Sequence, residues 1–106
     1  MRLFRRVAMA ALAGSSLMGA ASAWAQDPHL ARNLAATCAN CHGTNGNART
    51  DMKTLAGVSA DKITAMMNDF RSGAQPATIM HQIVKGYSEE QVRLIAAYFA
   101  AQTPKK

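Results

Sequence analysis

Two cysteines and a histidine lie within five consecutive residues, Cys38-Ala39-Asn40-Cys41-His42, and the 106-residue chain has no other cysteine. Two thiols three positions apart near a helix end can reach both vinyl groups of one porphyrin and form thioether bonds. The imidazole that follows directly is then placed to bind the iron. A C-x-x-C-H run is typical of covalent haem attachment. The motif therefore predicts one covalent haem, with thioethers from Cys38 and Cys41 and with His42 as the proximal iron ligand.

Three other uses of the cysteine pair explain less of the sequence. A redox-active C-x-x-C belongs in a βαβ setting, and no segment here alternates with the period of a strand. A plain disulfide suits an exported chain but leaves His42 without a role. A zinc site needs more ligands, and the only other histidines, His29 and His81, are both expected at the surface.

The sixth iron position requires a second ligand, for which methionine is a common partner of histidine. Four methionines follow the leader described below: Met52, Met66, Met67 and Met80. Met66 and Met67 lie on an apolar helical stripe, where methionine is more often a core residue. Met80 lies far beyond His42 in the chain, in a later segment that can approach the far side of the haem. We predict Met80 as the distal ligand, with Met52, His81 or an open position as alternatives.

Residues 1–25 have the pattern of a secretory signal peptide. Arg2, Arg5 and Arg6 precede a largely apolar run over residues 7–18, and the small-x-small triplet Ala23-Trp24-Ala25 follows. A basic start, a short apolar run and such a triplet predict cleavage after Ala25 and export to the periplasm. The alternative is an uncleaved membrane anchor, but the run is short and interrupted by glycine and serine.

Cleavage changes the meaning of the composition. The whole chain is 49% apolar with a net charge of +6, which would suit nucleic acid or a membrane surface. The leader contains three arginines and no acidic residue, so its removal reduces the net charge from +6 to +3. We therefore expect neither nucleic-acid binding nor membrane insertion of residues 26–106. The length excludes a large catalytic α/β fold, and two cysteines exclude a disulfide-dense scaffold.

Residues 26–106 read as short helices joined by loops. Asp27 and Pro28 predict the start of a first helix that ends near Gly43. Ser59 predicts the cap of a second, whose apolar stripe is followed by Gly73. A short helix is expected over residues 77–84. A capping box at Ser88 begins the last helix. The expected core positions are Ile63, Met66, Met67, Phe70, Val92, Ile95, Ala96 and Phe99.

This domain holds few large side chains. Its aromatic residues are Phe70, Tyr87, Tyr98 and Phe99. Domains of about 80 residues rarely bury enough apolar surface to be stable without a further element such as a disulfide or a bound metal. A haem would supply the missing apolar bulk.

Residues 26–106 resemble the class I c-type cytochromes over almost their whole length. The resemblance rests on a helix running into Cys38-Ala39-Asn40-Cys41-His42-Gly43 and on a methionine segment followed by a serine-capped helix with Leu94-Ile95-Ala96-Ala97-Tyr98-Phe99. It implies an all-α fold of three to four short helices wrapped around one haem c. It also implies that the first and last helices cross near the haem, with Tyr98 at the crossing.

A narrower resemblance is to the haem domains of flavocytochrome c sulfide dehydrogenase. It rests on Asn68-Asp69-Phe70-Arg71-Ser72-Gly73, Ala77-Thr78-Ile79-Met80 and Lys85-Gly86-Tyr87-Ser88. It implies a non-catalytic haem subunit that accepts electrons from an FAD-containing flavoprotein and passes them to a downstream acceptor. The alternatives are a free soluble electron carrier and, less favoured, a haem enzyme or gas binder with a labile sixth ligand.

Overall fold

The computed structural model describes residues 27–106, so the predicted leader, residues 1–25, lies outside the described residues. Five α-helices follow one another in this part of the chain: α1 (Leu30–Ala35), α2 (Ala39–His42), α3 (Ala60–Ser72), α4 (Met80–Ile83) and α5 (Glu89–Ala100). Two 3₁₀ turns lie at Thr44–Gly46 and Val84–Gly86. Residues 27–106 contain no strand, which confirms the all-α prediction.

The predicted first helix is divided in two, which raises the number of helices above the three to four expected. Between α1 and α2 the backbone hydrogen bonds shorten to a 3₁₀ pattern, from Cys38 N–H to the Ala35 carbonyl and from Ala39 N–H to the Ala36 carbonyl. Such tightening rotates the following residues relative to an unbroken α-helix. The break therefore sets the direction in which Cys38 and α2 leave α1.

The first helix begins two residues later than the sequence predicts, at Leu30 instead of Pro28. Asp27 does not cap a helix that begins at Pro28; its carboxylate accepts a hydrogen bond from His29 N–H at 2.8 Å, and α1 begins at Leu30. An aspartate bonded to the backbone two residues on forms an Asx turn. Asp27 therefore does form a local side-chain hydrogen bond, but this bond belongs to a turn that precedes the helix and does not cap the helix.

Helix α3 begins and ends where the sequence predicts. The Ser59 hydroxyl accepts a hydrogen bond from Lys62 N–H at 3.2 Å, and Gly73 terminates the helix in the left-handed conformation. Ile63 and Met67 are buried, which confirms the predicted stripe. Met66 and Phe70, from the same stripe, are only half-buried.

Helix α5 contributes more buried residues to the core than any other described element. The predicted capping box is present: Ser88 Oγ accepts from Gln91 N–H at 3.1 Å, and Gln91 Oε1 accepts from Ser88 N–H at 2.9 Å. All four residues of its predicted stripe, Val92, Ile95, Ala96 and Phe99, are buried. Helices α1 and α3 both pack on α5. None of the described helices has the length and hydropathy needed to cross a bilayer.

Replacing Ser88 by Ala should lower the free energy of unfolding of the holoprotein by about 0.5–2 kcal/mol, because the backbone N–H of Gln91 loses its side-chain acceptor. Denaturant unfolding followed by circular dichroism measures the change. Ser88→Asp is the matched control, since it keeps a side-chain acceptor and should stay close to wild type. Equal losses in both variants would show that the hydrogen bond is not the source of the stability.

Candidate haem site

A cavity of about 530 Å³ lies among α2, α3, α4, α5 and the loop after α2, and its wall is mainly apolar. This volume is within the range of about 300–1,000 Å³ usual for small-molecule and cofactor sites. Cys38, Cys41, His42 and Met80 all line it. The structure thus brings the four predicted haem residues to one cavity, although His42 and Met80 lie far apart in the sequence.

The cavity borders the hydrophobic core and shares residues with it. Ile63, Met67, Ile95 and Phe99 belong both to the buried cluster and to the cavity wall. The largest fully buried side chains are Phe99, Val84 and Val92, and two of them are valines. A large apolar group in the cavity would contact this cluster directly. The residues present therefore fit a haem, in size, in polarity and in their Cys-Cys-His donor set.

The imidazole of His42 is held by a backbone carbonyl. Its Nδ1 lies 2.6 Å from the Lys53 carbonyl oxygen. Since a carbonyl only accepts, Nδ1 carries the proton and Nε2 is left with its lone pair, the form in which histidine binds a metal. Sequence reasoning missed this partner. Any residue can offer a carbonyl, so the identity of Lys53 contains no signal for it.

The two thiols differ in environment. Cys38 lies at the N-terminal end of α2 and is half-buried, whereas Cys41 is exposed. Burial raises the pKa of the Cys38 thiol above its ordinary value, and a hydrogen bond from Thr37 partly opposes that rise. The Thr37 hydroxyl also lies 2.6 Å from the Tyr87 hydroxyl. The segment before the motif is therefore bonded to the segment before α5.

The loop after the motif is fastened to the last helix. The Gly46 carbonyl accepts hydrogen bonds from Leu55 N–H at 2.8 Å and Ala56 N–H at 3.1 Å, and Gly57 N–H donates to the Phe99 carbonyl at 2.9 Å. These bonds fix the path on which Lys53 lies. The loop therefore holds the carbonyl that orients His42.

All four methionines considered above line the cavity, but their surroundings differ. Met67 is a buried core residue, and Met52 is 42% exposed. Met66 Sδ lies 3.5 Å from Lys53 Nζ, which donates to it. Met80 is half-buried, is the first residue of α4 and packs against the core. Met80 thus begins a short helix between α3 and α5 in the chain. Met66 and Met67 lie within the long helix α3, and Met52 lies in the exposed loop.

The histidines outside the motif were both expected at the surface, and the structure corrects one of them. His29 is exposed, whereas His81 is half-buried. The Nδ1 atom of His81 is buried without a hydrogen-bond partner among the described residues. His81 is not among the cavity-lining residues, so it does not share the cavity with Cys38, Cys41 and His42.

Tyr98, expected at the crossing of the first and last helices, is half-buried. Its hydroxyl donates to Asn45 Oδ1. Its ring packs edge-on against the ring of Phe99, with the two ring centroids 5.4 Å apart. It also lines a second cavity of about 280 Å³ beside α1, together with Ala35 and Ala36. Tyr98 is therefore bonded to the turn after the motif and shares this second cavity with α1.

Replacing Gly43 by Ala should strongly reduce the yield of folded protein. Gly43 has φ 83° and ψ 161°, a region almost restricted to glycine that costs other residues about 1–3 kcal/mol. A Cβ atom there would also overlap the Asn47 carbonyl group, which is backbone and cannot rotate away. Thermal unfolding and holoprotein yield measure the effect.

Gly86→Ala is the matched control, because Gly86 does not have a positive φ and a Cβ there meets no atom within 4 Å. It should unfold at the wild-type temperature. If Gly43→Ala behaved in the same way, the loop would not be constrained as described.

Comparison with known proteins identifies the family. No family model matches the chain. The cytochrome subunit of sulfide dehydrogenase from Chlorobaculum tepidum is 39% identical over 66 residues, which are 62% of this chain and 60% of that protein. Cytochrome c-554(548) from Halomonas halodenitrificans is 33% identical over 70 residues, 62% of this chain and 84% of that protein. The thiosulfate dehydrogenase electron acceptor from Stutzerimonas stutzeri is 37% identical over 73 residues, 67% of this chain and 34% of that protein.

The chain belongs to the c-type cytochromes, and its helical fold is that of class I. Members of this family carry covalently bound haem c, so the predicted cofactor is confirmed. The chain spans 60% of the sulfide dehydrogenase subunit and about a third of the thiosulfate dehydrogenase electron acceptor.

Proposed function

We propose that this chain is an electron-transfer cytochrome with one haem c, bound through thioethers from Cys38 and Cys41 and ligated by His42 and Met80. The single observation that carries the proposal is the meeting of these four residues at one apolar cavity. The haem would supply a one-electron couple between ferric and ferrous iron. The chain would supply two axial ligands, which leave no iron position for a substrate, so it acts as a carrier rather than as an enzyme.

Each part of the cavity has a separate task in this proposal. The thioethers keep the cofactor on a small domain that cannot enclose it fully. The Lys53 carbonyl keeps Nε2 of His42 available. Apolar walls from α3 and α5 exclude water, and the low polarity of such a site together with methionine ligation raises the reduction potential. A haem enzyme or gas binder would need a labile sixth ligand instead.

Replacing the cavity methionines one at a time by Leu tests the distal ligand. We expect Met80→Leu to abolish the weak long-wavelength charge-transfer band of methionine-ligated ferric haem, to lower the reduction potential and to let cyanide bind. Leucine keeps the side-chain volume, so packing should change little. Absorption spectroscopy of the ferric protein and redox titration provide the measurements.

Met52→Leu and Met66→Leu are the controls, because these methionines line the same cavity. Both variants should keep the band. Loss of the band in Met52→Leu but not in Met80→Leu would transfer the ligand role to Met52. A high-spin wild-type ferric protein would contradict the carrier function altogether.

We propose that the redox partner is an FAD-containing flavoprotein of the sulfide dehydrogenase type. The support is the 39% identity to a cytochrome subunit of sulfide dehydrogenase. Met52 and Ile79 line the cavity and are 42% and 56% exposed, so an apolar surface lies at its edge where a partner can dock. A free carrier is the second candidate, since cytochrome c-554(548) is matched over 84% of its length.

We propose that residues 1–25 are a cleaved leader and that residues 26–106 form the single-haem domain in the periplasm. The support is the basic, apolar and small-x-small pattern of the leader. Periplasmic assembly also agrees with a pair of cysteine thioethers.

Purification of the holoprotein from its native extract tests partner and processing together. We expect a stoichiometric flavin-containing subunit to co-elute and the haem chain to begin at Gln26. Size-exclusion chromatography with flavin absorbance, and N-terminal sequencing, provide the readouts. A flavin-free monomer of the haem chain would reject the subunit assignment, and a chain still beginning at Met1 would reject cleavage.

A further inference from the structure

Helix α4, which begins with Met80, is too short to hold its own position. It has four residues and no side-chain N-cap hydrogen bond, and helices of one turn are unstable in water on their own. The chain around it, residues 79–87, is called the Met80 segment below. Its geometry must therefore come from contacts with the rest of the protein.

One buried anchor of this segment is Val84, which is fully buried in the core. Its carbonyl, however, lies where a helical segment ends, and such carbonyls lack partners within the helix. Within the backbone, the Val84 carbonyl accepts the long 3₁₀ bond from Tyr87 N–H, at 3.2 Å. The second lone pair of this carbonyl oxygen can accept a hydrogen bond from a donor in another part of the chain.

Arg71, near the end of α3, supplies that donor. Its Nη2 donates to the Tyr87 carbonyl at 2.8 Å and to the Val84 carbonyl at 3.3 Å. The side chain is half-buried and forms no salt bridge with the described residues. Its charge is thus matched by backbone carbonyls, and a cation at the end of a helical segment is electrostatically favourable.

We propose that Arg71 is the positioning residue for Met80: its guanidinium fixes the Met80 segment against α3 and so sets where the sulfur stands in the haem cavity. This inference rests on the proposed ligand role of Met80. Tyr87, whose carbonyl Arg71 binds, also meets the Thr37 hydroxyl at 2.6 Å. Arg71 therefore braces the Met80 segment at a point that is also tied to the residue before Cys38.

The charge of Arg71 matters as well as its length. Hydrogen bonds from a charged donor to a carbonyl are stronger than neutral ones. A neutral amide at this position is too short and too weak to replace both bonds. A lysine keeps the charge and reaches as a point donor, without the planar fork of arginine, so it restores part of the hold.

The test compares Arg71→Gln, Arg71→Lys and Arg93→Gln in the holoprotein. Arg93 lies exposed on α5, where it pairs only with Glu89 at 3.9 Å among the described residues, so its replacement removes the same charge without touching the Met80 segment. Two readouts are used: amide hydrogen exchange, segment by segment, and the charge-transfer band of methionine ligation in the ferric protein.

We expect Arg71→Gln to speed exchange of the Met80 segment about ten- to a hundredfold, which is the scale of losing charged hydrogen bonds, while α3 and α5 exchange as in wild type. The charge-transfer band should weaken. Arg71→Lys should recover part of both signals, and Arg93→Gln should match wild type in both. If Arg71→Gln yields no holoprotein, Arg71→Lys decides: faster exchange confined to the Met80 segment supports the role.

Unchanged exchange in the Met80 segment, or an equal increase across α1, α3 and α5, would overturn the proposal, since the second pattern marks only a general loss of stability. So would an unchanged band in Arg71→Gln beside a wild-type band that Met80→Leu abolishes. The exchange readout does not depend on which residue binds iron. If Met80→Leu keeps the wild-type band, the proposed ligand fails, while exchange still reports whether Arg71 holds the segment.

Discussion

The rest of this structure depends on four residues that belong both to the hydrophobic core and to the wall of the cavity. Ile63, Met67, Ile95 and Phe99 each present a surface both to the buried cluster and to the cavity of about 530 Å³. The remaining buried residues are small, with valine and alanine prominent among them. Apolar side chains gain dispersion contacts from the atoms that fill the space they face. Cofactor binding and folding are therefore coupled in this protein, because the group that fills the cavity also completes the hydrophobic core.

Both proposed iron ligands depend on backbone carbonyls for their placement. His42 is oriented by the carbonyl of Lys53, in a loop that is itself bonded to α5. Met80 begins a one-turn helix, and the residues that follow this helix are bonded through the Val84 and Tyr87 carbonyls to Arg71 of α3. Thr37 and Tyr87 join the two sides near Cys38. The proposed iron ligands thus lie in or beside short segments, and hydrogen bonds to the longer helices α3 and α5 hold these segments in position.

Much of the fold was readable because its signals are local. Caps at Ser59 and Ser88, the glycine after α3 and the stripe of α5 all depend on residues three or four positions apart, and all are confirmed. Two of the errors arose where tertiary contacts decide the structure. The break between α1 and α2 follows no proline or glycine, and the half-burial of His81 depends on how α4 packs. Neither has a signature within one turn of helix.

The amino-acid sequence alone determined the types of residue available for the chemistry: the C-x-x-C-H run, few large core residues, and four methionines that include the proposed distal ligand. Only the tertiary structure brought Met80 and the motif to one cavity and placed the Lys53 carbonyl on His42 and the Arg71 guanidinium on the Met80 segment. The reason is physical. Side-chain types are written in the sequence, whereas a backbone carbonyl is common to every residue, and only its position in space makes it a partner.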